Sequence, residues 1–408
     1  MMKKTLVALA AVAATATFAQ NVSITGFADV AYGTKAISNV QGINYGKSTG
    51  VMDGTLGANR IAITVTEDLG GGLKAGFYNE HGISPTNTQD WASRTAAPGP
   101  MFVAQTAAVN GAAQTGTNLT DNQIAVTSQA ATTNRNTWVS LSGGFGEVRA
   151  GYSVGLAYNA TTQSGFFFGM EQYGATTKDW GLTEAGGTRA NGVWYISPKL
   201  MNNFTVHLQK QYGAERTYEG TGTLDGYADS KAERTAFRVD YDMGYFKANY
   251  VRTDFTSLTN GGTGTAGASV FGVAAAAVTA TDYTTKHDAL NAMYTVGGLS
   301  FAVNINNATV DAQANTTSDR TLQSTQFGVQ YASGPYTLFG IYGKGTSDST
   351  TNRVSDITNS QFGLKYALSK RTTAYVATGE TNDSQKANTG ATYIGKGTFQ
   401  AFGVAHAF

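Results

Sequence analysis

Apolar and polar side chains alternate with a period of two from residue 22 to the end of the chain, the pattern of strands that show different faces to two environments. In the first segment Val22, Ile24, Ala28, Val30 and Tyr32 share one parity and Ser23, Thr25 and Asp29 the other, with Phe27 the single misfit. Ile61, Ile63 and Val65 alternate with Arg60, Thr64 and Thr66, and Leu73, Ala75 and Phe77 with Lys74, Gly76 and Tyr78. The same alternation returns around Phe204–Gln209, Phe237–Asp242, Ser300–Asn306 and Gln361–Leu368. Around Phe339 and Tyr375 it is less clean, and the facing of those two segments stays open.

Connections between these segments alternate in length. Short Gly- and Pro-containing turns fall at 67–72, 142–146, 242–244, 296–298, 333–335 and 369–371, where such residues supply the required backbone angles. Long polar stretches fall at 36–55, 84–134, 213–231, 257–285 and 381–396. A sheet with tight turns at one end and long loops at the other is the layout of a transmembrane β-barrel, whereas a soluble β-sandwich has no reason to keep its long loops at one end. The segments amount to about 16 strands, each needing roughly 9–11 residues to span a bilayer, which leaves ample chain for loops. The expected architecture is all-β: a closed 16-stranded antiparallel transmembrane barrel, apolar parity toward lipid and polar parity toward a lumen too wide to be filled by side chains.

Composition narrows the function. The 408 residues include 50 Gly, 21 Tyr and 20 Phe but no Cys, which excludes disulfide scaffolds and cysteine metal sites, and only 13% are charged. Lys3 and Lys4, the apolar run Leu6–Ala14 and the small residues before Gln20 read as a secretory signal peptide over residues 1–19, followed by one barrel domain over 20–408. Those two lysines are 2 of the 28 basic residues; without them 26 face 27 acidic ones and the formal charge passes from +1 to −1, so neither nucleic acid nor an anionic surface is implied. His81, His207, His287 and His406 form no Ser–His–acid or metal-binding constellation by spacing, and His207 has no local carboxylate partner in sequence. Neither catalysis nor any cofactor or metal is expected.

Five segments carry a family resemblance. Asn59-Arg60-Ile61-Ala62 leading into Glu67-Asp68-Leu69-Gly70-Gly71-Gly72-Leu73-Lys74-Ala75 resembles the second hairpin of Gram-negative trimeric porins, in particular the β-proteobacterial general porins. Trp138 to Gly146, Asn191 to Leu200 and Tyr366 to Thr372 resemble further strands and turns of that family, and Phe402 to Phe408 resembles its terminal strand. The resemblance implies a homotrimer in the outer membrane, in contact with lipid and lipopolysaccharide. It implies passive passage of ions and small hydrophilic solutes, and a final aromatic, Phe408, that acts as an assembly signal for the barrel-insertion machinery. It also implies a third external loop, here about 153–188, folded into the lumen and carrying Glu171, Asp179 and Glu184 opposite basic wall residues. Lumen parity offers Arg60, Lys74, Arg149 and Arg238 for that basic side, with Arg135 near an outer strand end; each has hydration or the bracing of a loop as its plain alternative. Phe166-Phe167-Phe168 is expected to pack the loop against the wall rather than form a sugar slide. Gly151-Tyr152 and Trp194 stand where family members often carry Arg, which makes the narrow zone more aromatic. A substrate-selective channel and a structural or surface-interaction barrel are the alternatives.

Overall fold

The computed structural model describes residues 21–38, 46–53, 55–86, 132–160, 165–170, 189–212, 230–259, 282–312, 319–349, 353–387 and 392–408. The expected leader and the loop acids Glu171, Asp179 and Glu184 lie outside the described residues. Seventeen strands form one antiparallel sheet. They are β1 (Asn21–Ser38), β2 (Gly46–Asp53), β3 (Arg60–Gly70), β4 (Leu73–Ile83), β5 (Thr132–Gly143), β6 (Gly146–Val154), β7 (Arg189–Ile196), β8 (Phe204–Tyr212) and β9 (Ser230–Asp242). The second half comprises β10 (Phe246–Thr259), β11 (Asp282–Val296), β12 (Leu299–Ala312), β13 (Arg320–Ser333), β14 (Tyr336–Ser349), β15 (Arg353–Ala367), β16 (Thr372–Ala387) and β17 (Thr392–Ala407).

β17 pairs with β1 from Phe27↔Ala407 to Ser38↔Lys396, which closes the sheet. The extra strand does not add a seventeenth position to the wall. β2 pairs with β1 over Val30–Ile37 and β3 pairs with it over Asn21–Phe27, so the two share one place in a 16-position barrel. The expected long loop 36–55 therefore contains a strand, and the expected loop 381–396 shrinks because β16 and β17 continue into it. Polar alternation at these strand ends looks like loop composition when read alone.

Lipid-side and lumen-side residues separate as the alternation predicts. Val22, Ile24, Val139, Leu208, Phe301, Phe362 and Phe402 are exposed on the outside. Reading up β12 from its turn, the outward positions Leu299, Phe301, Val303 and Ile305 give way to Asn307 and Thr309; on β15, Tyr366, Leu364 and Phe362 give way to Ser360 and Thr358. Most strands from β10 onward have 14–16 residues, more than the roughly 9–11 a tilted spanning strand needs, so their polar outer ends project beyond the hydrocarbon. Exposed rings at Phe204, Tyr294, Phe301, Tyr331 and Tyr336, with Tyr241 packed on Phe204, mark the turn-end interface, where aromatic side chains sit at headgroup level.

The inner wall is not uniformly polar. Phe339, Ile341, Tyr375, Ala377, Phe399 and Ala401 form a buried cluster on the lumen side, with Phe27 packed against it. That settles the facing of the segments around Phe339 and Tyr375 and explains the misfit at Phe27. These inward rings are a seat for a folded-in loop rather than a face toward lipid.

Candidate functional site

After β6 the chain leaves the wall and runs across the interior. Val154 N donates to Asn136 Oδ1 at 3.2 Å, and Leu156 N donates to Gln209 Oε1 at 2.9 Å. A single helical turn, α1 (Leu156–Tyr158), then settles with Ala160 into a buried apolar patch of Trp194, Ala236, Val251 and Ala289. Trp194 is thus a support for the loop. Arg238 Nη1 donates to Asn159 Oδ1 at 2.7 Å, and Asn249 Nδ2 donates to Ala160 O at 3.2 Å. Wall amides and a guanidinium satisfy polar groups that a single short turn leaves without partners where the segment is buried.

Residues 165–170 rest on the opposite wall. Asn304 Nδ2 donates to Phe166 O at 3.3 Å, Lys365 Nζ donates to Phe168 O at 2.9 Å, and Met170 N donates to Gln361 Oε1 at 2.7 Å. Phe166, Phe168 and Met170 are buried, with Phe168 and Met170 in the Phe339–Tyr375 cluster. Gly328 makes room for them, since a Cβ there would stand 3.0 Å from Phe168 Cδ2. The described part of the third loop is folded inward, and the aromatic trio packs it against the wall.

The basic candidates separate by role. Arg238 is 6% exposed and pairs with Asp240 at 2.6 Å while holding Asn159, so it braces the loop. Lys74 faces the lumen beside the β3–β4 turn, several rungs below the loop. Arg60, on β3, and Arg149, on β6 from which the loop departs, keep 38% and 30% of their side chains accessible. Arg60 lies 3.8 Å from Glu80, and Arg149 Nη2 donates to Glu147 Oε2 at 2.8 Å.

Arg135 joins this group through a β-bulge. The pairing of β4 with β5 runs Glu80↔Asn136 and then His81↔Asn134, so Arg135 is the extra residue, turned so that its Nε donates to Glu80 Oε1 at 2.7 Å. Arg234, buried on β9 and bonded to Gln211 Oε1 at 2.7 Å, and Lys365 are further inward cations that the sequence reading missed. Their alternation was the only available signal. His207 does have a carboxylate partner: Asp240 lies 2.9 Å away across the β8–β9 pair, a distance of 33 residues that local spacing cannot reveal. Among the described residues no group of three or more metal-ligating side chains converges.

A family model described as Gram-negative porin matches residues 5–386. Solved structures of the same fold include the anion-selective porin from Comamonas acidovorans, at 18% identity and TM-score 0.63, covering 96% of this chain and 100% of that one. The outer membrane channel DcaP of Acinetobacter baumannii is similar at 13% identity and TM-score 0.59, covering 95% and 97%. OmpF of Salmonella typhi, in a complex with daunomycin, is similar at 12% identity and TM-score 0.53, again covering 95% and 97%. No curated protein matches significantly in sequence.

Proposed function

The chain belongs to the Gram-negative porin family and is a diffusion channel of the outer membrane, and from that premise we propose that its passive flow of ions and small hydrophilic solutes is biased toward anions. One observation carries this reading. On the inner wall from β3 to β9, above the turn-end rungs where Asp68 faces Lys74 and Asp242 pairs with Lys247, the guanidinium groups of Arg60, Arg135, Arg149, Arg234 and Arg238 outnumber the carboxylates of Glu80, Glu147 and Asp240. A lumen with low-dielectric walls focuses such a surplus onto passing ions. Glu171 and Asp179, outside the described residues, are proposed as the acidic charge of the loop, and Arg60 and Arg149, the accessible members of the wall, as acting on solutes directly.

Replacing Arg60 and Arg149 together by Gln is expected to shift the zero-current potential in a salt gradient toward cations; an unchanged potential would remove both from the narrow zone. A second expectation concerns the loop seat. Gln361→Leu with Lys365→Met removes two of the bonds that hold Phe168 and Met170, so single-channel recordings should show increased open-channel noise. Quiet traces identical to wild type would mean that apolar packing alone holds the loop.

The working unit proposed is a homotrimer. Support comes from the outward residues of β1, β3, β5 and β6, mainly aliphatic (Val22, Ile24, Ile63, Val139, Val148), while interfacial rings concentrate from β8 onward, as a face covered by a second copy rather than by headgroups would have it. Outward ion pairs above the apolar band, Lys210 with Glu233, Arg252 with Asp254 and Asp288, and Lys396 with Glu380, suit contact with lipopolysaccharide headgroups. Residues 1–19 are read as a cleaved export signal, residues 20–408 as the barrel domain, and Phe408 as the residue the insertion machinery reads.

A further inference from the structure

Among the described residues, no hydrogen bond of the inward loop ends on the strip of wall that carries Tyr78, Trp138, Arg60 and Arg149. On β4 and β5 the rings of Tyr78 and Trp138 stack with centroids 4.3 Å apart and planes inclined by 23°. The Arg149 guanidinium carbon lies 4.8 Å from the Trp138 ring centroid at one end of this stack. Beyond the other end, Arg60 lies 5.2 Å from the ring of Phe27. All these side chains have lumen parity, and neither Tyr78 nor Trp138 is buried.

The strip is fixed from behind. Tyr78 Oη donates to Glu80 Oε2 at 2.7 Å, and Glu80 Oε1 in turn accepts from Arg135 Nε at 2.7 Å and Asn136 Nδ2 at 3.0 Å. Gly151 stands directly across from Trp138 with φ +149°, a conformation L side chains rarely adopt, and so adds no side chain beside the indole. Arg149 Nη2 donates to Glu147, and its buried Nε has no hydrogen-bond partner among the described residues. A fixed stack of guanidinium, indole and phenol, with the Arg60 guanidinium on Phe27 beside it, thus faces the pore with little ordering left to do on the protein side.

We propose that this strip is a docking site for planar aromatic solutes that carry a carboxylate, an inference that rests on the diffusion-channel reading and adds a solute class to it. Tyr78 and Arg149 cover the two faces of the indole, so the ring of such a solute meets the pore-facing edges of the Trp138–Tyr78 stack edge-to-face, and its carboxylate meets the guanidinium of Arg149 or Arg60. An aliphatic carboxylate lacks the aromatic contact, and an aromatic cation is opposed by both arginines. The loop rings Phe166 and Phe168 are buried in the wall and unavailable for this purpose.

The test uses the full-length protein in planar bilayers, with benzoate titrated against the chloride current. Wild type is expected to show saturable, benzoate-dependent block, with weaker block by cyclohexanecarboxylate and by benzylammonium. Trp138→Leu should weaken the block about threefold to tenfold, the range for an aromatic pair, while Trp138→Tyr retains most of it and Arg149→Gln weakens it as well. Open channels without benzoate block would overturn the proposal while leaving the porin reading intact; absence of any open-channel current would instead defeat that reading. Equal block by cyclohexanecarboxylate or benzylammonium overturns it too, as does block unchanged in both Trp138→Leu and Arg149→Gln. Block by maltose, with none by benzoate, that disappears in Trp138→Leu would make the strip a sugar slide and likewise overturn it.

Discussion

Asp29→Leu is expected to destabilise the barrel by about 3–6 kcal/mol, since three buried donors lose a charged acceptor at about 1–3 kcal/mol each with partial relaxation. Asp29 lies inside on β1 and is 0% exposed. Its carboxylate accepts from the main-chain nitrogens of Leu56 and Gly57, the latter at 3.3 Å, and from Tyr375 Oη at 2.6 Å. Asn59 completes the attachment by donating to the carbonyl of residue 29 at 3.1 Å. Between β2 and β3 the wall is interrupted, and the segment around residues 55–59 turns inward; Asp29 replaces the ladder bonds that segment has lost. Leucine leaves those N–H groups without their acceptor at a site that is itself closed to the lumen water. Asparagine can keep its oxygen for the two main-chain donors and donate its amide to the Tyr375 hydroxyl, which then accepts, so Asp29→Asn should cost less than leucine. Tyr375→Phe removes only one bond and should cost about 1.5–3 kcal/mol, as for other bonds to charged groups. Urea unfolding in detergent, followed by the mobility difference between folded and heat-denatured protein on gels, gives the ranking. An unfolding midpoint of Asp29→Leu equal to wild type would show that the inward segment holds itself.

This network shows where sequence reasoning stops. The barrel itself was legible because one pattern, period-two alternation with unequal connections, is set by lipid on one face and water on the other. Phe339 and Tyr375 resisted because they belong to a third environment, the seat beneath a folded loop, which inverts the usual facing while preserving the strand. Arg135 has the wrong parity and reaches Glu80 only because a bulge adds one residue to β5. His207 and Asp240, like Asp29 and Tyr375, meet through registry between distant segments. Arg60 and Arg149 were found by parity alone, since an accessible inward arginine needs no long-range partner to face the pore. Parity also placed Arg238 inside, but its role as a brace depends on Asn159, in a loop segment without periodicity that rests against the same wall.

Gly26→Val should reproduce the defect of Phe408→Ala, and the two together should be no worse than either. Gly26 carries lipid parity on β1, and the Phe408 ring lies directly on it: a Cβ there would stand 2.2 Å from Phe408 Cζ. The main chains are joined in both directions, Gly26 N to Phe408 O at 2.8 Å and Phe408 N to Gly26 O at 3.1 Å. The seam between the first and last strands thus finishes with a ring laid over a bare Cα, at the turn-end rim where aromatic side chains favour the interface. A valine forces the ring off; an alanine at 408 removes it; either way the end of the seam loses its cover and its two backbone bonds become free to fray. Each single change is expected to cost about 1–3 kcal/mol in folded-barrel stability, comparable to burying one aromatic side chain. Since both act through one contact, the double-mutant cycle should show strong coupling rather than additivity. Additive costs would mean that Gly26 matters for strand geometry alone and Phe408 for something other than the seam. If the two singles also share a lower yield of barrels inserted in cells, while refolding in detergent is hurt less, the ring's position on Gly26 is part of what the insertion machinery reads.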